Sequence, residues 1–126
     1  MKNHLSLAVS ILMVAVVAYV TILPFCGLIF SCGCSLQSGI LHCNIFEAGQ
    51  PDCPWCSQSR GAFWTLFFAI NAAFSGTIWL AFRRISPGIG VGLAAGIVGY
   101  IVWGSLAGLA YALVRDYPTF YGGMLP

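Results

Sequence analysis

Three stretches of the chain carry no charged side chain: residues 3–46, 61–82 and 85–114. A hydrocarbon core about 30 Å thick is crossed by roughly 20 apolar residues rising about 1.5 Å each. Each uncharged window therefore has room for one span. The pattern predicts an all-α membrane protein with three transmembrane helices. Helix 1 is expected at about 5–23, ended by Pro24, whose ring blocks the helical ladder. Helix 2 is expected at about 62–82, stopping at the pair Arg83-Arg84, and Pro87 and Gly88 then break the chain in a short turn. Helix 3 follows at about 89–114. A cysteine-rich loop, 24–61, joins helices 1 and 2, and an aromatic tail, 115–126, has no helical periodicity.

Composition agrees. Of the 126 residues 60% are hydrophobic and 6% charged, with a mean hydropathy of +0.92. A soluble domain carries about 25% charged residues, so this chain has too few to cover a water-facing surface. The formal net charge of +2 is too small and too scattered to suggest nucleic acid. Met1 to Leu23 has the short positive start and long apolar run of a secretory signal. Ile29-Phe30-Ser31-Cys32 also approaches a lipoprotein cleavage box, but Phe30 is bulky where a small residue is needed. The segment is expected to be retained as a membrane helix. Lys2, Arg83 and Arg84 fall on one side of the membrane, Arg60 and Arg115 on the other. The positive-inside rule then puts the N-terminus in the cytoplasm, with the loop and C-terminus outside, in a bacterial plasma membrane.

All six cysteines, Cys26, Cys32, Cys34, Cys43, Cys53 and Cys56, lie in the predicted loop. On an oxidising side, two or three disulfides would staple a loop too small for its own core. Six cysteines allow fifteen pairings, among which sequence cannot choose. A metal site is the alternative. Cys32-Gly-Cys34 and Cys53-Pro-Trp-Cys56 offer four thiolates to a tetrahedral zinc or to an iron–sulfur cluster, with His42 or Cys43 as substitutes. A third reading is redox chemistry at the Cys53–Cys56 pair, although no βαβ pattern surrounds it. A c-type haem is excluded because Ser57 stands where that motif needs histidine. No cofactor is expected under the disulfide reading.

Cys53-Pro54-Trp55-Cys56-Ser57-Gln58-Ser59-Arg60, leading into an apolar helix, resembles a family of uncharacterised bacterial membrane proteins. Its members carry Cys-Pro-x-Cys-Gly-x-Thr-Arg at such a loop-to-helix boundary. Ser57 departs from the family's glycine. The resemblance implies a membrane protein with a cysteine-bearing surface motif and supplies no activity.

Within the predicted spans there is no Asp, Glu, Lys or Arg, which argues against autonomous ion transport. His4 reads as an interfacial residue, and Glu47 and Asp52 as solvated loop charges. Asn71, mid-helix with Ser75 one turn later, is expected to hydrogen-bond between helices. The third helix and its entry carry Gly88, Gly90, Gly92, Gly96, Gly99, Gly104 and Gly108. At about 100° per residue, Gly92, Gly96, Gly99 and Ala107 form one stripe, while Gly90, Ala94, Gly104 and Gly108 lie towards the opposite side. Small residues let backbones approach closely. One stripe is expected to pack on helices 1 and 2, the other on a further subunit or a flat pigment or lipid. The tail, with Tyr117, Phe120 and Tyr121, is expected to dock on another chain. These features point to a non-catalytic accessory subunit of a larger membrane complex. The alternative is a small thiol-redox or metal-handling membrane protein using Cys32, Cys34, Cys53 and Cys56.

Overall fold

The computed structural model describes residues 2–35, 37, 43–46, 48–49, 52–85 and 88–124. Three helices dominate: α1 (Lys2–Phe30), α2 (Arg60–Arg84) and α3 (Ile89–Val114). All three are long and apolar enough to cross a membrane. A single 3-10 turn, Asn44–Phe46, interrupts the loop, and the tail forms a two-stranded antiparallel ribbon, β1 (Thr119–Phe120) and β2 (Gly123–Met124).

The expected boundary of the first helix is wrong by a full two turns. α1 runs through Pro24 to Phe30, so Cys26 belongs to a helix and not to the loop. Proline removes one ladder bond and crowds the preceding turn, but membrane helices tolerate it where the freed groups find other partners. Here the turns beyond Pro24 are held by burial of Phe25, Cys26, Ile29 and Phe30. The helix ends instead at Ser31, in the left-handed region at φ 53°, followed by Gly33 at φ 80°. The boundaries expected for the other two helices agree with those observed to within two residues.

The chain divides into two compact units. One comprises Met1–Tyr19 and Phe67–Gly104. Its core is Val14 and Ala18 of α1, Ile70, Phe74 and Ile78 of α2, and Tyr100 of α3. Glycine on α3 sets how closely these helices meet. A β-carbon at Gly96 would stand 2.6 Å from Val14 Cγ2 and 2.8 Å from Ile78 Cδ1, and one at Gly99 would stand 3.1 Å from Thr77 Oγ1. Gly92 faces Ser10 and Phe82, whereas Gly88 and Gly90 face open space. Gly104, expected on the opposite stripe, is buried with them. Its spacing explains this: steps of four residues overshoot a 3.6-residue turn, so a four-residue seam drifts round the helix.

Asn71 does not bridge helices. Its amide donates to the Phe67 carbonyl of its own helix at 2.8 Å, and Ser75 donates to the Asn71 carbonyl at 2.7 Å. In lipid, an accessible carbonyl one turn back satisfies the amide without any partner helix. The inter-helix bond is made elsewhere, from Trp103 Nε1 to Thr77 Oγ1 at 3.2 Å.

The other unit comprises Val20–Leu66 and Ser105–Pro126. α3 ends in a left-handed Asp116, φ 49°, with Tyr117 N–H donating to the Ala112 carbonyl at 2.9 Å. This is a Schellman closure, which releases the tail in a defined direction. The tail then turns back through Tyr121 and Gly122, both at positive φ, the geometry of a tight type I′ hairpin. It docks on α1 of its own chain. Tyr117 Oη and Thr119 Oγ1 both donate to the Phe30 carbonyl, at 3.2 and 2.9 Å. Tyr121 N–H donates to the Ile29 carbonyl at 2.6 Å. The last carbonyls of a helix have no partner within it, and here the tail supplies them. Gly108 of α3 faces Ile29 and Phe120 of the same chain.

A candidate metal centre

Four short pieces of local structure carry the six cysteines, all within the second unit. Cys26 lies in the last turns of α1. Ser31 and Gly33, both left-handed, reverse the chain directly after it, which brings Cys32 and Cys34 back against the helix end. Gly27 makes room: a β-carbon there would stand on the Cys34 carbonyl oxygen. Cys43 accepts the Phe46 N–H at 3.0 Å and so opens the 3-10 turn. Cys53 and Cys56 share a turn closed by Ser57 N–H on the Cys53 carbonyl at 3.0 Å and by Gln58 Nε2 on the Pro54 carbonyl at 2.8 Å. Ser59 then caps α2, its hydroxyl accepting the Ala62 N–H at 3.3 Å, as a serine just ahead of a helix commonly does.

These pieces converge. Cys26 Sγ lies 3.3 Å from Cys53, 3.6 Å from Cys32 and 3.8 Å from Cys56. Cys34 Sγ lies 3.6 Å from Cys32 and 3.5 Å from Cys56. The disulfide expectation for these residues has no counterpart here. All six thiols are free, and each of these spacings far exceeds the roughly 2.05 Å of an S–S bond. The physical reason lies in the packing: each sulfur has several near neighbours rather than one. Cys32, Cys43 and Cys53 are fully buried, Cys26 and Cys34 nearly so, and only Cys56 is half-exposed.

The charge environment is distinctive. Hydrogen bonds from neighbouring thiols, that of Cys26 foremost, hold Cys32 and Cys34 below the ordinary thiol range. Burial pushes Cys43 up to about 12. Thiols in one apolar pocket cannot all ionise unless a cation joins them.

Two sets of four sulfurs meet the geometry of a metal ion, each set with all members within 4.8 Å of one another: Cys26, Cys32, Cys34 and Cys56, and Cys32, Cys43, Cys53 and Cys56. Sulfurs at the corners of a tetrahedron with Zn–S bonds of about 2.3 Å lie about 3.8 Å apart. Within the first set the spacings of 3.5–3.8 Å match that edge, while the 3.3 Å contact of Cys26 with Cys53 joins the two sets. The sequence reading named Cys32, Cys34, Cys53 and Cys56, which the fold does bring together, but as parts of two different sets. It missed Cys26 as a ligand because the set was drawn from the two close-spaced pairs, to neither of which Cys26 belongs. His42 lies outside the described residues. Gly27 was also missed, and its signal is the adjacency Cys26-Gly27.

Beside Cys56 opens a cleft of about 260 Å³, lined also by Leu23, Trp55, Arg60, Phe63 and Trp64. Trp55 is buried between Phe25 and Phe30, at centroid distances of 6.2 and 5.5 Å. It walls the sulfur cluster off with apolar surface. Comparison with protein-family models, curated proteins and solved structures found no match to this chain.

Proposed function

We propose that this chain is a non-enzymatic integral membrane protein that binds a soft metal ion of the zinc class through cysteine thiolates at the membrane surface. The observation that carries the reading is the sulfur spacing of 3.5–3.8 Å among Cys26, Cys32, Cys34 and Cys56, the edge of a tetrahedral thiolate site and not the length of a disulfide. An iron–sulfur cluster distributes its thiolates over separate irons and would hold them further apart, so coordination of the metal by thiolates alone is favoured. The bound ion ties the end of α1, the loop and the start of α2 together, a knot that a loop this small needs from somewhere.

The accessory-subunit reading rested on a tail and a second glycine stripe in need of a partner. The tail caps α1 of its own chain, and Gly108 is covered by Ile29 and Phe120, so both motives weaken. In the proposed topology Lys2, Arg83 and Arg84 stay in the cytoplasm of a bacterial cell and the centre faces outside. Coordination there would also protect the thiolates from oxidation. The test is elemental analysis of protein purified in detergent under anaerobic conditions without added metal. Stoichiometric zinc, lost in the double variant Cys32→Ser/Cys56→Ser, which removes two ligands from either set, is expected; metal-free protein that also refuses zinc on titration contradicts the reading.

A further inference from the structure

The two sulfur sets together use all six cysteines, and they share two members, Cys32 and Cys56. Had the cluster been a single tetrahedron with two bystanders, there would be no reason for the remaining sulfurs to complete a second one. Building on the metal-binding reading, we propose that the centre holds two divalent ions bridged by the thiolates of Cys32 and Cys56. Cys26 and Cys34 complete the first ion's coordination, and Cys43 and Cys53 complete the second's.

Three observations support the division. First, each candidate bridge lies near terminal ligands of both ions: Cys32 is 3.6 Å from both Cys26 and Cys34, Cys56 is 3.8 and 3.5 Å from the same two, and both lie within 4.8 Å of Cys43 and Cys53. Second, the terminal pairs come from separate parts of the chain. Cys26 and Cys34 meet across the Gly27 contact, while Cys43 opens the 3-10 turn and Cys53 the turn before α2. Two ions therefore tie more of the loop than one would.

Third, the charges balance. Four thiolates around one divalent ion, beside two neutral thiols, carry the same net charge as six thiolates around two divalent ions. The second ion enters as Cys43 and Cys53 each release a proton to solvent and form a metal–sulfur bond. Cys32 and Cys56, already ionised, each donate a second lone pair. No oxidant or reductant is involved, and the buried site gains no net charge.

The experiment is titration of the anaerobic, metal-free, detergent-solubilised full chain with ¹¹³Cd²⁺ alone, followed by elemental analysis and cadmium NMR. Two cadmium ions per chain, giving two resonances of equal intensity that split one another through shared sulfur, is the expected result. Cys43→Ser, which leaves both bridges intact, should lower the content from two ions to one and leave the other resonance in the tetrathiolate range. One ion per wild-type chain overturns the binuclear proposal and leaves the single-ion reading standing. Two resonances without mutual splitting overturn the shared ligands. No bound cadmium overturns both readings.

Discussion

The backbone of Cys34 lies against the α1 helix at Gly27, so close that a side-chain carbon at Gly27 would overlap the Cys34 carbonyl oxygen. Backbone, unlike a flexible side-chain end, cannot step aside cheaply. Gly27→Ala should therefore push the Cys32–Cys34 segment off the helix, at about 1–3 kcal/mol for an overpacked contact. Zinc affinity measured by chelator competition is expected to fall by at least tenfold, while membrane insertion persists. Unchanged affinity would mean that the loop does not rest on α1.

The tail's cap on α1 gives a second prediction. Thr119→Val and Tyr117→Phe each delete one donor to the Phe30 carbonyl, for about 0.5–1.5 kcal/mol apiece. The double variant should lose more than the sum, because only then is the carbonyl left unpaired. Thermal unfolding in detergent reads this out. Strictly additive losses would show that the two donors act on separate groups.

How far the sequence announced this molecule depends on the kind of signal. The three long apolar helices were legible because uncharged windows of that length are visible in the sequence without knowledge of packing. Pro24 misled because its effect on a helix depends on whether residues beyond it are buried, and Phe25, Cys26, Ile29 and Phe30 are. That single misreading moved Cys26 out of its helix; it stayed out of the candidate ligand set because it belongs to neither close-spaced pair, Cys32-Gly-Cys34 nor Cys53-Pro-Trp-Cys56. The tail's contact with α1 was not legible either: its positive-φ turn at Tyr121 and Gly122 folds it onto carbonyls that no sequence rule identifies as vacant. Gly92 and Gly96 were read as packing residues and do pack, since small side chains at four-residue spacing speak directly about backbone approach.

Gly96→Leu should disrupt the first unit, since its side chain would have to displace Val14 and Ile78. A drop of several degrees in the unfolding temperature is expected, following from about 1–3 kcal/mol of overpacking. Gly90→Leu, which faces open space, should leave the temperature within a degree or so, as surface changes usually do. Equal effects would refute the assignment of the packed face.

Cys56 alone among the cysteines is half-exposed and lines an open cleft. In intact cells an impermeant maleimide should label it only after a zinc chelator has been added, and before the five buried sulfurs. Labelling only after lysis would place the centre on the cytoplasmic side. Labelling at full rate without chelator would mean that Cys56 is not a ligand.

The central claim is that these sulfurs hold metal rather than one another, and mass settles it in one measurement. Native mass spectrometry of the anaerobically purified chain is predicted to show bound zinc in place of the thiol protons it displaces, and the full-thiol mass once acidification has protonated the thiolates and released the zinc. A metal-free chain lighter by about two protons for each disulfide formed would contradict the account.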